Sequence, residues 1–532
     1  MKKIIGALFL LLAVGAAAQK TSPEQFGKTI TVDDLKKHLY IIAGKEMEGR
    51  GTGTPGLERA AAYIEKQFKS IGLLPGNKDS YQYHYPLVQD SLEEAGIVID
   101  DMNFFVGRHF NPNIRSAINQ SLKGNEIVFM GYGIDDPAYS DYKETDVKGK
   151  IVLIVEGEPK INDTAYAVTG TSRRSPWSSG TSRKINAAQK YGATAVLLLQ
   201  NTFPKYDPNR KITRGPLYPD FRAASERPAI NQFNISDSVA MAIVGLDALT
   251  DIRSKAKANQ SLVPQVFAKN IAMSCAIKKF KATTSNVVGI LPGTDLKDEY
   301  VVITAHMDHL GKRDTVIYYG ADDDGSGTCA VMEIAEAFAA AKKAGNGPRR
   351  SILFMTVSGE EMGLWGSEFY TSNPLFPLEK TTVNLNIDMI GRIGSDYTKG
   401  KDSVKAEYAD SLNYVYVIGD DKLSTDLRPI SELANNQFIN LKLDYRYNDP
   451  KDPNRFYYRS DHYNFAQKGV PIIFYFDGVH RDYHRPTDTP DKINYELYAR
   501  RAQLVFYTGW EMANRDKMVK RDMKLDVPAR GF

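Results

Sequence analysis

Five segments of the sequence carry histidine, aspartate or glutamate at or just beyond the end of an apolar run. They are "TAHMDHLG", "YYGADDDGSG", "SGEEMGLWGS", "NIDMIGR" and "DYHRPTDT". Each has an ordinary explanation by itself, since aspartate and serine commonly cap helices and paired glutamates commonly face solvent. If all five converge, several carboxylates and two imidazoles share one pocket, which is severely unfavourable without a bound cation. The pattern therefore predicts a dinuclear metal centre.

The residue types in these segments suit zinc and hydrolytic chemistry. Zinc favours imidazole and carboxylate ligands, and a catalytic site keeps about three protein ligands per ion with one position open for water. Five ligands can serve two ions if one carboxylate is shared. Three ligand carboxylates against two divalent cations leave a net positive charge, which favours a bridging hydroxide near neutral pH. We therefore expect a hydrolase.

The elements that position these segments alternate between apolar strands and helices from about residue 283 onward. A helix is expected around Val331, Ile334, Ala335 and Phe338, and the strand-like runs are "NVVGIL", "EYVVITA", "SILFMTV", "VNLNID" and "VPIIFYF". This alternation predicts an α/β fold with a mainly parallel central sheet and helices on both faces. Sites in such sheets lie at the carboxyl ends of the strands, where the acidic and histidine-bearing segments stand.

Two further regions precede this alternation. Apolar residues at helical spacing from Leu57 to Ile71 predict a helix that stops at Gly72. The glycine-rich "GRGTGTPG" before it lacks the Gly-Lys-Ser/Thr of a phosphate-binding loop, so we interpret it as a loop that ties this helix to the core. From about residue 125, "KGKIVLIVEG", "KINAAQKYG" and "GATAVLLLQN" predict a self-contained α/β insertion. Its stretch "TGTSRRSPWSSGTSRK" is either a surface loop or a segment whose Trp177 reaches a neighbouring cleft.

The composition is that of a globular protein, and the N-terminus is that of an exported one. The chain has 532 residues, 42% hydrophobic and 25% charged, and more than one domain is expected at this length. Residues 1–18 combine Lys2 and Lys3 with an apolar run and three alanines, which predicts a signal peptide cleaved after Ala18. The residue directly after that site is Gln19 and not a cysteine, and no later apolar run is long enough to cross a bilayer. We expect no lipid anchor, no membrane span, and a periplasmic or secreted protein.

Net charge and cysteine content exclude further classes. The formal net charge is +4, of which two units belong to Lys2 and Lys3, and this excess is too small and too dispersed to indicate a nucleic-acid partner. Cys275 and Cys329 form no C-x-x-C motif, so neither a thiolate zinc site nor a disulfide framework is expected. A single bridge and two buried thiols both stay open. The sequence also lacks the G-x-S-x-G of serine hydrolases and the H-E-x-x-H of single-zinc proteases.

Six stretches in the same order resemble the secreted di-zinc aminopeptidases, namely "AHMDHLG", "GADDDGSG", "SGEEMGLWGS", "NIDMIG", "RSDHYNF" and "YHRPTDT". Their metallopeptidase family also includes bacterial leucyl aminopeptidases, glutamate carboxypeptidase, glutaminyl cyclase and the transferrin receptor. The resemblance implies a zinc exopeptidase fold of the phosphorylase/hydrolase type with an inserted protease-associated domain. It divides the chain after the signal peptide into the start of the peptidase domain (19–124), the protease-associated domain (125–270) and the rest of the catalytic domain (271–532).

The resemblance also implies which residues bind metal. His306 and Asp388 would bind one zinc ion. Glu361 and His484 would bind a second zinc ion. Asp323, the middle one of the three aspartates, would bridge the two ions. The expected cofactor is therefore two zinc ions per chain, with cobalt or manganese as substitutes.

Four further residues match functional positions of the family. Glu360 matches the general base, which takes a proton from the water and delivers it to the leaving amine. Asp308 suits a carboxylate that fixes the tautomer of His306. Tyr483 matches a residue that hydrogen-bonds the oxyanion of the tetrahedral intermediate. Arg459 matches an arginine that contacts substrate in some members.

The remaining polar residues of these motifs are assigned supporting roles. Asp322 and Asp324 are expected to shape their loop or to cap the helix that begins near Ser326. The family's ligand set is complete without the other histidines of the chain. We therefore expect surface or supporting roles for His309, His462 and His480, and structural roles for His38, His84 and His109.

The expected function is a zinc-dependent metallo-aminopeptidase that hydrolyses N-terminal residues from peptides with a free N-terminus, through a metal-bridging hydroxide and a glutamate general base. A carboxypeptidase or dipeptidase of the same family is the alternative, and it would need basic residues such as Arg459 to hold a substrate carboxylate. A further alternative is a non-catalytic, receptor-like binding protein, against which the complete ligand set argues.

Overall fold

The structure, a computed structural model, describes residues 22–207, 214–222, 230–398 and 412–525. The predicted signal peptide, residues 1–18, lies outside this range. The chain forms two compact units. The main unit comprises Met1–Tyr85 and Thr284–Phe532, and the inserted unit comprises Pro86–Thr283. The domain boundaries predicted at 125 and 270 stay a prediction.

Twelve α-helices lie in the described residues. They are α1 (Glu24–Gly27), α2 (Val32–Ile42), α3 (Pro55–Ser70), α4 (Ser182–Lys190), α5 (Asp237–Val244), α6 (Leu246–Lys257), α7 (Gly327–Lys343), α8 (Trp365–Ser372), α9 (Ser395–Thr398), α10 (Leu427–Ala434), α11 (His462–Gln467) and α12 (Tyr495–Asn514). Helix α3 confirms the helix predicted before Gly72, and its buried residues recur at the helical spacing seen in the sequence.

Twenty β-strands lie in the same residues. They are β1 (Leu74–Pro75), β2 (Gln82–Ile99), β3 (Met102–Phe104), β4 (Phe110–Pro112), β5 (Gln120–Phe129), β6 (Ile151–Val155), β7 (Lys160–Asn162), β8 (Ala165–Tyr166), β9 (Ala195–Leu199), β10 (Arg214–Pro219), β11 (Asn231–Ile235), β12 (Gln265–Leu291), β13 (Leu296–His306), β14 (Lys312–Arg313), β15 (Val316–Ile317), β16 (Arg350–Val357), β17 (Thr381–Ile387), β18 (Tyr414–Ile418), β19 (Lys442–Asp444) and β20 (Ile472–Phe476).

The main unit is built on a mainly parallel sheet in the order β19-β18-β20-β17-β13-β16-β12. Strand β13 is parallel to both β16 and β17, and β17 is parallel to β20. The antiparallel pairs are β12 with β16 and β18 with β20, towards the two sides of the sheet. The prediction of an α/β fold with a mainly parallel central sheet is confirmed.

Helices cover both faces of this sheet. Neighbouring residues of a strand point to opposite faces, so the residues of one strand pack into two different cores. Ile303 of β13 packs into the core that contains Phe338 of α7 and Phe506 of α12. Val302, the residue before it, packs into a second core that contains Phe465 of α11. The runs of consecutive apolar residues in the central strands follow from this burial on both faces.

The inserted unit is a smaller α/β unit with its own core. Strands β5, β6, β9 and β11 pair in parallel, and β4 adds an antiparallel edge. Helices α4, α5 and α6 belong to this unit and contribute residues to the same core. Trp177, which the sequence left open, packs into this core, and its indole N–H donates to Asp136 at 3.1 Å. The side chain is therefore part of the unit's own packing.

Two further observations concern membrane spans and the cysteines. Among the described residues, every helix is too short or too polar to span a bilayer. Cys275 and Cys329 are both buried and free.

Candidate metal centre

The predicted site residues follow three neighbouring strands of the main sheet. His306 is the last residue of β13 and pairs in register with Val357, the last residue of β16. The loop that carries Glu360 and Glu361 starts directly after β16, and Asp388 directly follows β17. Because these strands are parallel, all four side chains leave the sheet at the same edge.

The segment Ala321–Ser326 contributes Asp323 from a tight turn before α7. Its neighbours are tied to backbone groups. Asp324 accepts hydrogen bonds from the backbone N–H groups of His306, Gly327 and Met389 at 3.1, 2.8 and 3.0 Å. Asp322 accepts one from Gly391 at 2.7 Å. The neighbouring aspartates therefore shape the loop, and Asp324 also accepts from the N–H of Gly327, the first residue of α7, whose N-cap residue Ser326 makes no side-chain cap.

Asp323 faces two histidines with its two carboxylate oxygens. Nε2 of His306 lies 3.3 Å from Oδ1, and Nε2 of His484 lies 3.2 Å from Oδ2. His306 also lies 3.5 Å from Oδ1 of Asp388. His484 lies 3.2 Å from Oε2 of Glu361. The structure thus brings all five predicted ligand residues together, with Asp323 between the two groups.

A sixth side chain, His309, lies beside the second group. His306, Asp323 and Asp388 offer ligand atoms that all lie within 4.8 Å of one another, and so do His309, Asp323 and Glu361. Nδ1 of His309 is 2.7 Å from Oε1 of Glu361. The sequence did not single out His309 as part of this site. Its only signal was its place next to Asp308 in "HMDHLG".

The tautomer of His306 is set by the backbone carbonyl of Asp308. The sequence had predicted this role for the carboxylate of Asp308. Nδ1 of His306 contacts the carbonyl oxygen of Asp308 at 3.1 Å, whereas the carboxylate is 3.8 Å away. Nδ1 therefore carries the proton, and Nε2 is left with a free lone pair. The Asp308 carboxylate instead accepts from the N–H of Glu360 at 3.2 Å and from the hydroxyl of Thr52 at 2.8 Å. The Asp308 carboxylate therefore holds the loop that carries Glu360 and Glu361 in position.

Glu360 lies next to the group formed by His306, Asp323 and Asp388 but is not one of the predicted ligands. Its Oε2 is 3.9 Å from Nε2 of His306, which is farther than the four predicted ligand pairs. Burial, reinforced by the charges of Asp388 and Glu361, raises the pKa of Glu360 well above its usual value despite the opposing effect of His306. A carboxylate with a raised pKa is suited to exchange protons near neutral pH.

Tyr483 and Arg459 lie beside His484. The Tyr483 ring stacks on the His484 ring with centroids 3.8 Å apart. Nη2 of Arg459 donates to the Tyr483 hydroxyl at 3.2 Å. Burial raises the pKa of Tyr483, so that its hydroxyl keeps its proton and remains a donor.

The other two motif histidines are buried and hold supporting positions. His462 contacts the carbonyl of Tyr457 at 2.8 Å, and burial lowers its pKa to about 3. His480 lies 3.2 Å from Oδ2 of Asp322. None of His309, His462 and His480 lies on the surface, so the surface reading of these residues is wrong and the supporting one remains.

Asp488 is a supporting residue to which sequence reasoning assigned no role, although it lies in the motif "YHRPTDT". Its Oδ2 accepts from the N–H groups of Asp322 and Asp323 at 3.0 and 3.2 Å. The segment that carries His484 thus also holds the backbone of the aspartate loop.

The side chain of Arg50 connects the glycine-rich loop to the segments that carry the site residues. It is 0% exposed, and its guanidinium donates at 2.8–2.9 Å to the carbonyls of Ile42, Met307, Tyr319 and Gly320. Two of these carbonyls come directly before the aspartate loop, and one follows His306. The prediction that this loop ties α3 to the core is confirmed, and the side chain responsible is Arg50.

We expect Arg50→Lys to lower the free energy of unfolding by about 3 kcal/mol. A lysine offers donors from one nitrogen and cannot satisfy four separate buried carbonyls, each of which costs about 1–3 kcal/mol when unpaired. Urea unfolding followed by circular dichroism measures the change. Arg59→Lys is the matched control, because Arg59 is exposed and should change stability by less than about 0.5 kcal/mol. Equal effects of the two substitutions would refute the role of Arg50.

Comparison with known proteins agrees with this geometry. The sequence profile of "Peptidase family M28" matches residues 286–509, a range that contains every residue of the candidate centre, and the profile of the "PA domain" matches residues 124–222. Residues 286–509 therefore form a domain of peptidase family M28. The match to the PA domain lies within the inserted unit, which agrees with the predicted protease-associated insertion.

Individual relatives cover the chain to different extents. "Aminopeptidase YwaD" from Bacillus subtilis (strain 168) is 24% identical over 552 residues, which is 98% of each chain. A "Probable zinc metalloprotease" from Pyrenophora tritici-repentis (strain Pt-1C-BFP) is 27% identical over 282 residues, 47% of this chain and 55% of its own. The chain thus spans about half the length of the fungal relatives it matches.

A solved structure shares the fold. The aminopeptidase from Aneurinibacillus sp. strain AM-1 superposes with a TM-score of 0.52 at 20% sequence identity, and the superposition covers 96% of this chain and 100% of that one.

Proposed function

We propose that this protein is an exported aminopeptidase of peptidase family M28 that binds two zinc ions and removes N-terminal residues from peptides. The observation that carries the proposal is the position of Asp323 between two groups of ligand side chains, one with His306 and Asp388 and one with Glu361 and His484. A carboxylate with one oxygen facing each group is what two neighbouring ions share.

The spacing of these side chains fits bound zinc. Two ligand atoms on one tetrahedral zinc ion, each at about 2.0–2.2 Å, lie about 3.3 Å apart. The four predicted ligand pairs are separated by 3.2–3.5 Å. Nε2 of His306 and Oδ2 of Asp323 are also buried without a hydrogen-bond partner within the described residues. Buried polar atoms are rarely left unpaired, so a cation at this place supports the proposal.

Bound zinc would act as a Lewis acid on the attacking water and on the carbonyl of the scissile bond. Glu360 accepts a proton from the water as the oxygen–carbon bond forms, and its raised pKa suits this task. The same carboxyl then donates that proton to the leaving amine as the carbon–nitrogen bond breaks. The Tyr483 hydroxyl donates a hydrogen bond to the oxyanion that forms in between. Asp308 holds the N–H of Glu360 and so keeps the base in place.

The acidic side chains of the site favour a substrate with a free amine. Glu360, Glu361, Asp323 and Asp388 lie within one small volume. A free N-terminal amine can donate hydrogen bonds to carboxylate oxygens that zinc would leave uncovered, whereas an acetylated amine has fewer donors. This preference supports an aminopeptidase over an endopeptidase.

Arg459 supports one alternative within the family. Its side chain is exposed beside Tyr483, where it could hold the carboxylate of a substrate. A carboxypeptidase or dipeptidase would use it in this way. No such observation supports a receptor-like binding protein. A protein without catalysis would not need the complete set of metal ligands that this chain has.

Digestion of one peptide distinguishes these functions. The peptide should carry different residues at both ends, and mass spectrometry after incubation with zinc shows which end has been shortened. Loss of residues from the N-terminus supports the proposal. Loss from the C-terminus supports the carboxypeptidase. If the peptide stays intact, a dipeptide is incubated next: its cleavage supports the dipeptidase, and two intact substrates contradict catalysis.

We expect Tyr483→Phe to lower kcat about 10-fold with unchanged zinc content. A sole oxyanion donor is worth about 100–1000-fold, and zinc would share this stabilisation with Tyr483. Steady-state hydrolysis of leucine p-nitroanilide measures the effect. Tyr458→Phe is the matched control, since Tyr458 lies next to Arg459 and outside the centre. A normal kcat in Tyr483→Phe would remove the residue from the mechanism.

Export is proposed from the N-terminal pattern of residues 1–18. The exported protein should begin at Gln19 when its N-terminus is sequenced. A chain that keeps Met1 would contradict this.

A further inference from the structure

His309 is a buried imidazole that the proposed set of zinc ligands does not use. Its residue exposure is 1%. Nδ1 lies 2.7 Å from Oε1 of Glu361 and 3.8 Å from Oδ2 of Asp323. Within the described part of the chain, Nε2 has no hydrogen-bond partner, and Nδ1 has no polar partner closer than Oε1 of Glu361. Such a side chain beside a ligand carboxylate calls for a function.

The distance between His309 and Glu361 indicates what lies between the two atoms. Two lone pairs repel each other at 2.7 Å, so a proton or a metal ion must separate them. A tetrahedral zinc ion would hold the atoms about 3.3 Å apart, as in the four predicted ligand pairs. A charge-assisted N–H···O contact spans about 2.7–2.9 Å. The shorter distance therefore favours a proton on Nδ1.

The two oxygens of Glu361 are divided between two imidazoles. Oε1 faces Nδ1 of His309, and Oε2 faces Nε2 of His484 at 3.2 Å. We propose that His309 is a positioning residue: its Nδ1–H holds Oε1 of Glu361 so that Oε2 alone points to the second zinc ion. This inference rests on the two-zinc centre proposed above. Partners that orient ligand carboxylates commonly affect metal affinity about 10–100-fold.

The backbone around His309 holds the ring in place for this task. The N–H of His309 donates to the carbonyl of Arg50 at 3.1 Å, and His309 forms a parallel bridge with Gly51. On the other side the ring packs on Gly320, where a Cβ atom would overlap the imidazole. Gly320 also has a φ of 55°, which glycine adopts without strain. The ring is thus confined between the Arg50 loop and the aspartate loop, with Nδ1 towards Glu361.

Two amide substitutions separate the two ring nitrogens of His309. Asparagine places its side-chain N–H₂ close to the position of Nδ1, and glutamine places its own close to Nε2. The two variants are alike in polarity and differ by one methylene group. Zinc titration of the chelator-stripped full-length protein, with a competing zinc indicator, measures both binding steps without any enzyme assay.

We expect His309→Asn to bind the second zinc ion within about threefold of wild type and His309→Gln to bind it about 10–100-fold more weakly. The first ion should bind equally in both variants. His84→Ala removes an exposed imidazole and should bind like wild type. Thermal unfolding of each stripped variant checks that the fold is retained.

Three results would overturn the inference. Wild-type affinity in His309→Gln would show that His309 has no influence on the centre. Equal loss of the second ion in both amide variants would show that the imidazole itself binds zinc. A wild-type protein that binds one ion only would overturn the inference together with the two-zinc proposal, whereas the peptide digestion tests aminopeptidase activity separately.

Discussion

Glu360→Gln is expected to keep two zinc ions per chain while its turnover falls by about 100-fold or more. The amide cannot accept the proton of the attacking water, and a lost general base costs about 100–10,000-fold. The zinc content should survive because Glu360 lies farther from His306, at 3.9 Å, than the predicted ligand pairs do. Metal analysis after dialysis and kcat for leucine p-nitroanilide measure the two quantities.

The neighbouring Glu361→Gln provides the contrast for this variant. Glu361 lies 3.2 Å from His484 and belongs to the second group of ligand side chains. The same isosteric change should therefore remove zinc as well as activity. Near-normal turnover in Glu360→Gln, or a loss of zinc as large as that in Glu361→Gln, would contradict the assignment of Glu360 as the base.

Asp323→Ala is expected to lower the affinity for both zinc ions and to abolish most activity. Asp323 faces His306 with Oδ1 and His484 with Oδ2, so the substitution removes one ligand from each ion. The loss of affinity should exceed the roughly 10–100-fold that follows removal of a supporting partner. Zinc titration of the stripped protein gives both affinities, and hydrolysis of leucine p-nitroanilide gives the activity.

An exposed aspartate serves as the control for Asp323→Ala. Asp247 lies in the inserted unit, and Asp247→Ala should leave zinc binding and activity unchanged. If Asp323→Ala still binds two ions with normal affinity, Asp323 is not the shared ligand. Asp322 and Asp324 would then need the same test, although both are already engaged by backbone N–H groups.

Periodicity in the sequence was enough to predict the main architecture. The apolar runs around Val302 and Phe474 are continuous because helices bury both faces of their strands, and this continuity marks a parallel sheet. The same argument placed the polar segments at one edge, since parallel strands end together. The pairing order of the strands could not be predicted, because it depends on contacts between segments far apart in the chain.

The detailed site depends on contacts that spacing does not reveal. His309 is brought to Glu361 by a backbone bridge to Gly51, a residue from a distant part of the chain. In the sequence, Arg50 cannot be told apart from an ordinary loop residue. Only the fold shows that backbone carbonyls surround its guanidinium. Asp308 has the spacing of a carboxylate that orients His306, yet its carbonyl oxygen makes the closer contact. Side-chain spacing predicts which residues meet, whereas backbone carbonyls and N–H groups decide how they meet.

Hydrolysis of leucine and alanine p-nitroanilides, beside their N-acetylated forms, tests the central claim most directly. The mature protein is assayed before chelation, after chelation, and after zinc is restored. The account predicts release from the free-amine substrates only, loss of release on chelation, and recovery that is complete at two zinc ions per chain. Release that persists after complete removal of metal, or the absence of release from any of these substrates with two ions bound, would contradict a zinc aminopeptidase.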